Sequence, residues 1–293
     1  MGTDAHIVVV GGDPSLLESA AERVAELERR WSRFLPDSEI SRCNALSGRT
    51  LEVSAETIRL VACGVSGWRL TNGRFDPTVL PALCDVGYDR DFRAAARRAA
   101  SHVPPPARPA PGCAEITWDE RDRTVTLPAG AQFDPGGVGK GLAADIVTQE
   151  LVDAGAEGAL VSLGGDVRVR GMAPEGGAWT VAVEDASHPG VELLRVGLHD
   201  GAVATSSRLQ RRWQTRAGAA HHLIDPRTGK PAVSPLVAVT AVTGDGWWAE
   251  IVAKAVLIGG SSVECGEDLS ARLMTVAQDG RVECDARIGA VAA

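Results

Sequence analysis

Between residues 158 and 206 the chain is written as short apolar runs separated by Gly, Pro and Asp. Runs of this length, bounded by turn residues, read as antiparallel strands. No other block restricts the fold as much, and the segments around it have other periods. Residues 6–10 (His-Ile-Val-Val-Val) read as a strand, stopped by Gly11-Gly12-Asp13-Pro14. A helix over 14–32 follows, with Asp13 placed to cap it and Pro14 at its first position. Leu16, Leu17, Ala20, Ala21, Val24, Leu27 and Trp31 give that helix an apolar face. A second helix is expected over 55–70, capped by Ser54, with Ile58, Val61, Ala62, Val65 and Trp68 inward. Residues 115–118 and 124–127 alternate as a hairpin around 119–122. Residues 137–154 suit a helix with a glycine-rich start, 235–243 a strand and 247–258 an apolar helix. A last hairpin turns at Asp279-Gly280. Strands and helices mix without regular βαβ alternation, so the fold class is α+β.

The length of 293 residues allows one large or two modest domains, and 44% apolar residues argue against disorder. Residues 103–112 (Val-Pro-Pro-Pro-Ala-Arg-Pro-Ala-Pro-Gly) cannot continue a helix or a central strand. They must be an extended connection, which reads as a surface loop, an insertion or a boundary; as a boundary it divides the chain into lobes at 1–112 and 113–293. A net charge of −8 with no dense basic run is unsuited to sequence-independent nucleic-acid binding. Apolar stretches fall well short of the roughly 20 residues a bilayer span needs. The start shows no charged n-region or cleavage site. The six cysteines form no C-x-x-C pair, which reads as free thiols and a cytoplasmic setting.

Three segments carry chemistry. Asp134-Pro135-Gly136-Gly137-Val138-Gly139-Lys140-Gly141 lets backbone groups approach a phosphate or a metal. It is neither a Walker A motif, since Gly141 follows the lysine, nor a dinucleotide fingerprint. It also reads as a glycine-rich helix start without a ligand. In His221-His222-Leu223-Ile224-Asp225-Pro226-Arg227-Thr228-Gly229, a histidine before an Asp-Pro turn suits a general base, or is incidental to the turn. Glu250 and Lys254 stand at i and i+4 within an apolar helix, as a surface ion pair or as a pair facing a buried or cleft position. Leu163–Asp166 and Ala204–Ser207 are unspecific alone. Three of the 30 basic residues are lysines, Lys140, Lys230 and Lys254, and two of them lie in these segments.

In order along the chain, these segments resemble the FAD:protein FMN transferase (ApbE, flavin transferase) family. The matches begin at Met1-Gly2-Thr3 and pass through Ser32-Arg33-Phe34, Pro36–Ser41, Asn44 and Gly73-Arg74-Phe75-Asp76-Pro77-Thr78. They continue through Asp134–Gly141, Leu163–Asp166, Ala202–Ser206 and His222–Gly229, and end in the helix region 239–259. The resemblance implies a T-fold-like, two-lobed α+β architecture of mostly antiparallel sheets and packed helices. It places FAD in a cleft between lobes. It implies transfer of FMN, through its phosphate, to a Ser or Thr of an acceptor flavoprotein, with AMP leaving. Some relatives hydrolyse FAD to FMN and AMP instead, and loss of catalysis would leave an FAD-binding protein. His222 matches the histidine that takes the acceptor hydroxyl's proton, and Lys254 joins it in the catalytic set. The resemblance puts Met1, Asn44, Arg74, Phe75, Asp76, Asp134, Lys140, Gly164, Gly165, Asp166, Ser206, Ile224 and Asp225 on the flavin nucleotide. It implies Mg²⁺ on Gly137 and on an acid at position 250, with a Thr four residues later. This chain has Glu250 for the usual Asp and Lys254 for the usual Thr. A charged lysine has no lone pair for a metal. Lys254 is therefore expected to pair with Glu250 and serve as the cation that faces the pyrophosphate.

Overall fold

A computed structural model of the chain describes residues 3–99, 101–188, 190–261, 266 and 269–288. The fold is α+β, with seven helices and antiparallel sheets among the described residues. The chain divides into two compact units, each discontinuous in sequence. The first comprises Met1–Glu28, Val138–Ser207 and Pro235–Ala293, and the second Arg29–Gly137 and Arg208–Ser234.

The first unit is built on a seven-stranded sheet. Its strands run in the order Ala5–Val10, Gly158–Leu163, Asp166–Gly171, Asp200–Ser207, Leu236–Thr243, Arg272–Ala277 and Val282–Cys284, every neighbouring pair antiparallel. Two helices, Gly139–Asp153 and Gly246–Gly259, pack against the sheet and each other. The hairpin Trp179–Glu184 with Glu192–Leu198 buries Trp179, Val181, Val183 and Val196 with Val169, Val203, Val242 and Met274 of the sheet. Leu236–Thr243 is buried at every position, because elements cover both of its faces.

The second unit holds the helices Glu39–Ala45, Ala55–Leu70, Leu80–Asp85 and Phe92–Ala99. With them lie the small sheet Thr50–Glu52, Thr124–Thr126, Thr117–Asp119 and two short hairpins. Ser54 caps its helix as expected, its Oγ accepting the Thr57 N–H at 3.3 Å. Tyr88, Trp213, Leu83, Val86, Ala220 and Ile224 form its apolar cluster. The proline-rich stretch has no regular structure and lies within this unit, not at a boundary. It runs as a strap beside the segment that carries His222. Ala110 N–H donates to Pro226 O at 2.7 Å, and His102 O accepts the Arg216 N–H at 3.0 Å.

Two residues of the expected apolar face of 14–32 point outward: Leu17 and Ala21 are exposed on the helix Leu16–Trp31. The buried stripe there is the narrower Ala20, Leu27 and Trp31. Among the described residues no helix is long and apolar enough to cross a membrane.

Candidate functional site

In the first unit, Lys140, Asp166, Glu250 and Lys254 form one buried charge cluster. Lys140 stands in the first turn of the glycine-led helix, and Asp166 opens a central strand. Glu250 and Lys254 share a face of the last helix. The Lys140 ammonium donates to both Asp166 Oδ2 and Glu250 Oε1. Lys254 Nζ donates to Glu250 Oε1 at 3.3 Å. Glu250 Oε2 accepts the Gly141 N–H at 3.1 Å, and Asp166 Oδ1 accepts the Thr205 N–H at 3.3 Å. The Glu250 side chain is 1% exposed, against 16% for Lys140 and 14% for Lys254. Two carboxylates and two ammoniums leave the cluster formally neutral.

Burial on its own favours the uncharged form of each group. At Glu250 it is overcome: Lys140, then Lys254, hold the carboxyl below the usual glutamate range. At Lys140 burial is likewise overcome by Asp166 and Glu250, which hold the ammonium above the usual lysine range. Lys254 is pushed down by its burial and by repulsion from Lys140, against the pull of Glu250. Lys140 is thus the anchored cation of the pair.

Helix packing fixes this arrangement. The N-cap of the glycine-led helix, Val138, makes no side-chain cap, and Glu250 of the last helix bonds the first-turn amide of Gly141 instead. Asp145 returns the favour from the glycine-led helix, accepting the Gly246 N–H at 2.7 Å and the Trp247 N–H at 2.9 Å at the start of the last helix. Both carboxylates sit at positive helix ends. Close approach requires glycine on both sides. A Cβ at Gly141 would stand 2.2 Å from Gly246 O, and one at Gly246 would stand 2.7 Å from Gly141 O. Arg168 Nε holds Asp145 Oδ1 at 3.0 Å, yet burial still pushes the Asp145 carboxyl up to about 6.

In the second unit, His222 is half-buried at the bend between strands Gly218–His221 and Ile224–Asp225. Its neighbours are tied down. His221 Nε2 meets Ala232 O at 3.2 Å, and His221 Nδ1 accepts the Leu223 N–H at 3.3 Å. Ala232 N–H in turn donates to Leu223 O at 2.9 Å. Burial pushes the His221 imidazole down to about 4. His221 is therefore a neutral strut beside His222. Asp225 anchors the following turn through Arg227, whose N–H and Nε donate to Oδ1 at 3.0 and 3.1 Å.

Several residues expected on the nucleotide also hold the chain itself. Asn44 Nδ2 donates to Phe133 O at 2.9 Å, and Asn44 Oδ1 accepts the Phe133 N–H at 2.7 Å, so both ends of the amide position the residue before Asp134. Asp76 caps the short turn Pro77–Val79, taking the Thr78 N–H at 2.8 Å and its hydroxyl at 2.6 Å. Phe75 is buried, and Ile224 is part of the Tyr88–Trp213 cluster. These four therefore also act as supports of the chain around the expected nucleotide position. Arg74 is exposed. Gly164 and Gly165 form the turn before Asp166, both at positive φ, with Gly164 packed on Thr3. Ser206 is buried opposite Val239. Met1 lies outside the described residues.

Sequence reasoning passed over two charged residues. Arg33 lies between the Phe34 and Tyr88 rings, 4.3 and 4.6 Å from their centroids, with its Nε 3.3 Å from Asp134 Oδ1. It stands in the Ser32-Arg33-Phe34 segment already singled out. Asp145 carries the same signal that exposed Glu250, an acid within an apolar helical run.

The donor set does not suit Mg²⁺. That ion asks for several oxygen ligands in near-octahedral geometry. Glu250 Oε1 already faces two ammoniums and Oε2 a backbone amide. Among the described residues no three His, Cys, Asp or Glu side chains gather to hold a metal ion. Gly137 is buried in the tight turn Pro135–Gly137. The expected Mg²⁺ ligation by Gly137 and Glu250 is therefore set aside, since Lys254 holds the place beside Glu250.

The ApbE family matches residues 1–275. The FAD:protein FMN transferase of Haemophilus influenzae is 26% identical over 275 residues, covering 84% of this chain and 76% of that protein. A protein of the same name from Salmonella typhimurium is 29% identical over 276 residues, covering 84% and 74%. Among solved structures, the ApbE protein of Thermotoga maritima superposes with a TM-score of 0.83 at 27% identity, over 97% of this chain and 94% of that one. The flavin transferase ApbE of Vibrio cholerae, at 23% identity, shares the fold with a TM-score of 0.78 over 98% and 95%. With the family matched across nearly its whole length, the chain belongs to the ApbE family.

Proposed function

We propose that the chain is an FAD:protein FMN transferase, passing FMN from FAD to a Ser or Thr hydroxyl of an acceptor flavoprotein and releasing AMP. A T-fold-like architecture is part of that reading. Family membership over residues 1–275 carries it. In the reaction, the acceptor oxygen forms a bond to the FMN phosphorus as the bond from that phosphorus to the bridging oxygen breaks. AMP departs with the bridging oxygen. His222 takes the proton from the acceptor hydroxyl as the new bond forms. Positioning and neutralisation of charge supply most of the catalysis in such displacements. Lys140 and Lys254 supply positive charge that is set in place beforehand by the helix packing, and Asp134 and the glycine turn Gly164-Gly165 help hold the nucleotide.

The test is mass spectrometry of a flavoprotein domain bearing a Ser or Thr acceptor sequence, after incubation with FAD and the protein. An FMN adduct on the acceptor is expected. Free FMN and AMP without adduct would make the protein a hydrolase, and unchanged FAD would make it a binder. His222→Ala should abolish the adduct while FAD still binds; transfer at the native rate by this variant would remove His222 from the base role.

A further inference from the structure

We infer that Lys254, steadied with Lys140 on Glu250 and Asp166, is the cation that receives an anionic pyrophosphate in this chain, in place of a divalent metal ion. The inference rests on the transferase reading in taking FAD as the pyrophosphate ligand.

The two lysines differ in how their hydrogens are spent. Lys140 is bonded to two carboxylates, Asp166 and Glu250. Lys254 has one hydrogen-bond acceptor among the described residues, Glu250 Oε1 at 3.3 Å. An ammonium carries three donors, so Lys254 keeps two for a ligand. Its side chain retains 14% exposure, whereas the carboxylate it rests on retains 1%. The buried acid thus orients the lysine and does not itself reach outward.

Charge balance excludes adding a divalent ion to the same group. Glu250 and Asp166 are already matched by two ammoniums. A dication on Glu250 would have to share Oε1 with both lysines, leaving a buried excess of positive charge beside two cations. Conversely, an arriving dianion meets Lys254 without displacing any protein contact. Lysine binds phosphate as a compact point charge and suits this task.

Two measurements test the inference. The first titrates Mn²⁺, an oxygen-seeking stand-in for Mg²⁺ with a paramagnetic signal, into the native protein. No saturable site is expected, and a stoichiometric site lost in Glu250→Gln would overturn the proposal. The second titrates FAD and riboflavin, which lacks the pyrophosphate, by flavin fluorescence in EDTA and in Mg²⁺. Native affinity for FAD should be the same in both media. Lys254→Thr should weaken FAD in EDTA by roughly tenfold or more, the scale of a charge-assisted hydrogen bond, and leave riboflavin unchanged. Equal FAD affinity for Lys254→Thr and native protein in EDTA would overturn the inference. So would native FAD binding that requires Mg²⁺, a result that leaves the transferase reading intact. Failure of the native protein to bind FAD in either medium would overturn both.

Discussion

Gly141→Ala probes the packing on which the charged cluster depends. Alanine is the better helix former, so on propensity alone the exchange stabilises by about 1 kcal/mol. The structure opposes that gain. The new methyl would stand 2.2 Å from Gly246 O, 2.4 Å from Gly246 C and 2.7 Å from Trp247 N, all of them backbone atoms. No rotamer relieves such a clash, and the last helix must withdraw by about 1 Å to restore van der Waals contact. Withdrawal stretches the Asp145 cap on Gly246 and Trp247 and the Glu250 bond to residue 141. Overpacking costs about 1–3 kcal/mol, a disrupted cap about 1 and a weakened charged hydrogen bond about 1 more. After the propensity gain, the net loss is about 2–4 kcal/mol, or about 5–12 °C in melting temperature for a domain of this size. Calorimetry of Gly141→Ala beside Gly244→Ala makes the comparison, because a Cβ at Gly244 meets open space. The control should stay within about 0.5 kcal/mol of native protein. A Gly141→Ala melting temperature equal to or above native would refute the close helix approach, and with it the route by which Glu250 reaches the other helix.

Acid should weaken the protein through His221. Its imidazole is pushed down to about 4, chiefly by burial, against about 6.5 in an unfolded chain. Above pH 6.5 both states are neutral; below it only the unfolded chain takes up the proton, so stability falls toward pH 4 by about 2 kcal/mol after allowing for the ring's solvent-facing side. Asp145 acts in the opposite sense, because a carboxyl raised to about 6 favours the folded state below that pH and loses the advantage as pH rises through it. Urea unfolding at pH 7.5 and 5 should therefore show a smaller acid loss in His221→Gln than in native protein, and equal losses would rule the imidazole out. Asn44→Ala removes both bonds to the Phe133 backbone, and should cost about 1–3 kcal/mol in unfolding and weaken FAD binding several-fold by loosening the Asp134 turn. Unchanged affinity and stability in that variant would show that the turn does not need the clamp.

The elements were legible because their periods are distinct. The helices over 55–70 and 247–258 and the strands between 158 and 206 appear where apolar spacing places them. The interleaving of the units was not legible. The first strand pairs with Gly158–Leu163 across some 150 residues of chain, and no local pattern announces a partner at that distance. The course of the proline-rich stretch was not legible for a related reason. Proline forbids regular structure but says nothing about what the extended chain lies against, and here the Ala110 amide binds Pro226 O in the turn after His222. Glu250 and Lys254 could be found because a charged pair stands out in an apolar helix. Asp145 meets the same criterion within its own helix and went unnoticed because nothing in sequence pairs it with the start of another helix.

The reciprocal caps explain how two acids can be buried where the helices meet. Each of Glu250 and Asp145 would be costly to bury alone. Each is instead bonded to backbone amides at a helix start, where unsatisfied N–H groups and the helix dipole already call for negative charge. The acids therefore serve the helices first, and cations compensate them second, Lys140 and Lys254 at Glu250 and Arg168 at Asp145. One consequence concerns substitution at position 250. Glu250→Gln would keep an acceptor for the Gly141 amide yet leave Lys140 and Lys254 with Asp166 as their only acid. The helix contact would survive while the two ammoniums repel, so the loss would appear in the ionisation of Lys254 before it appeared in the fold. Lys254 is the lysine that burial and Lys140 already push down, and Glu250 is the main group that opposes that push. Preorganised charge of this kind needs no rearrangement when an anion arrives. The same glutamate thus joins two helices and opposes the loss of charge at Lys254.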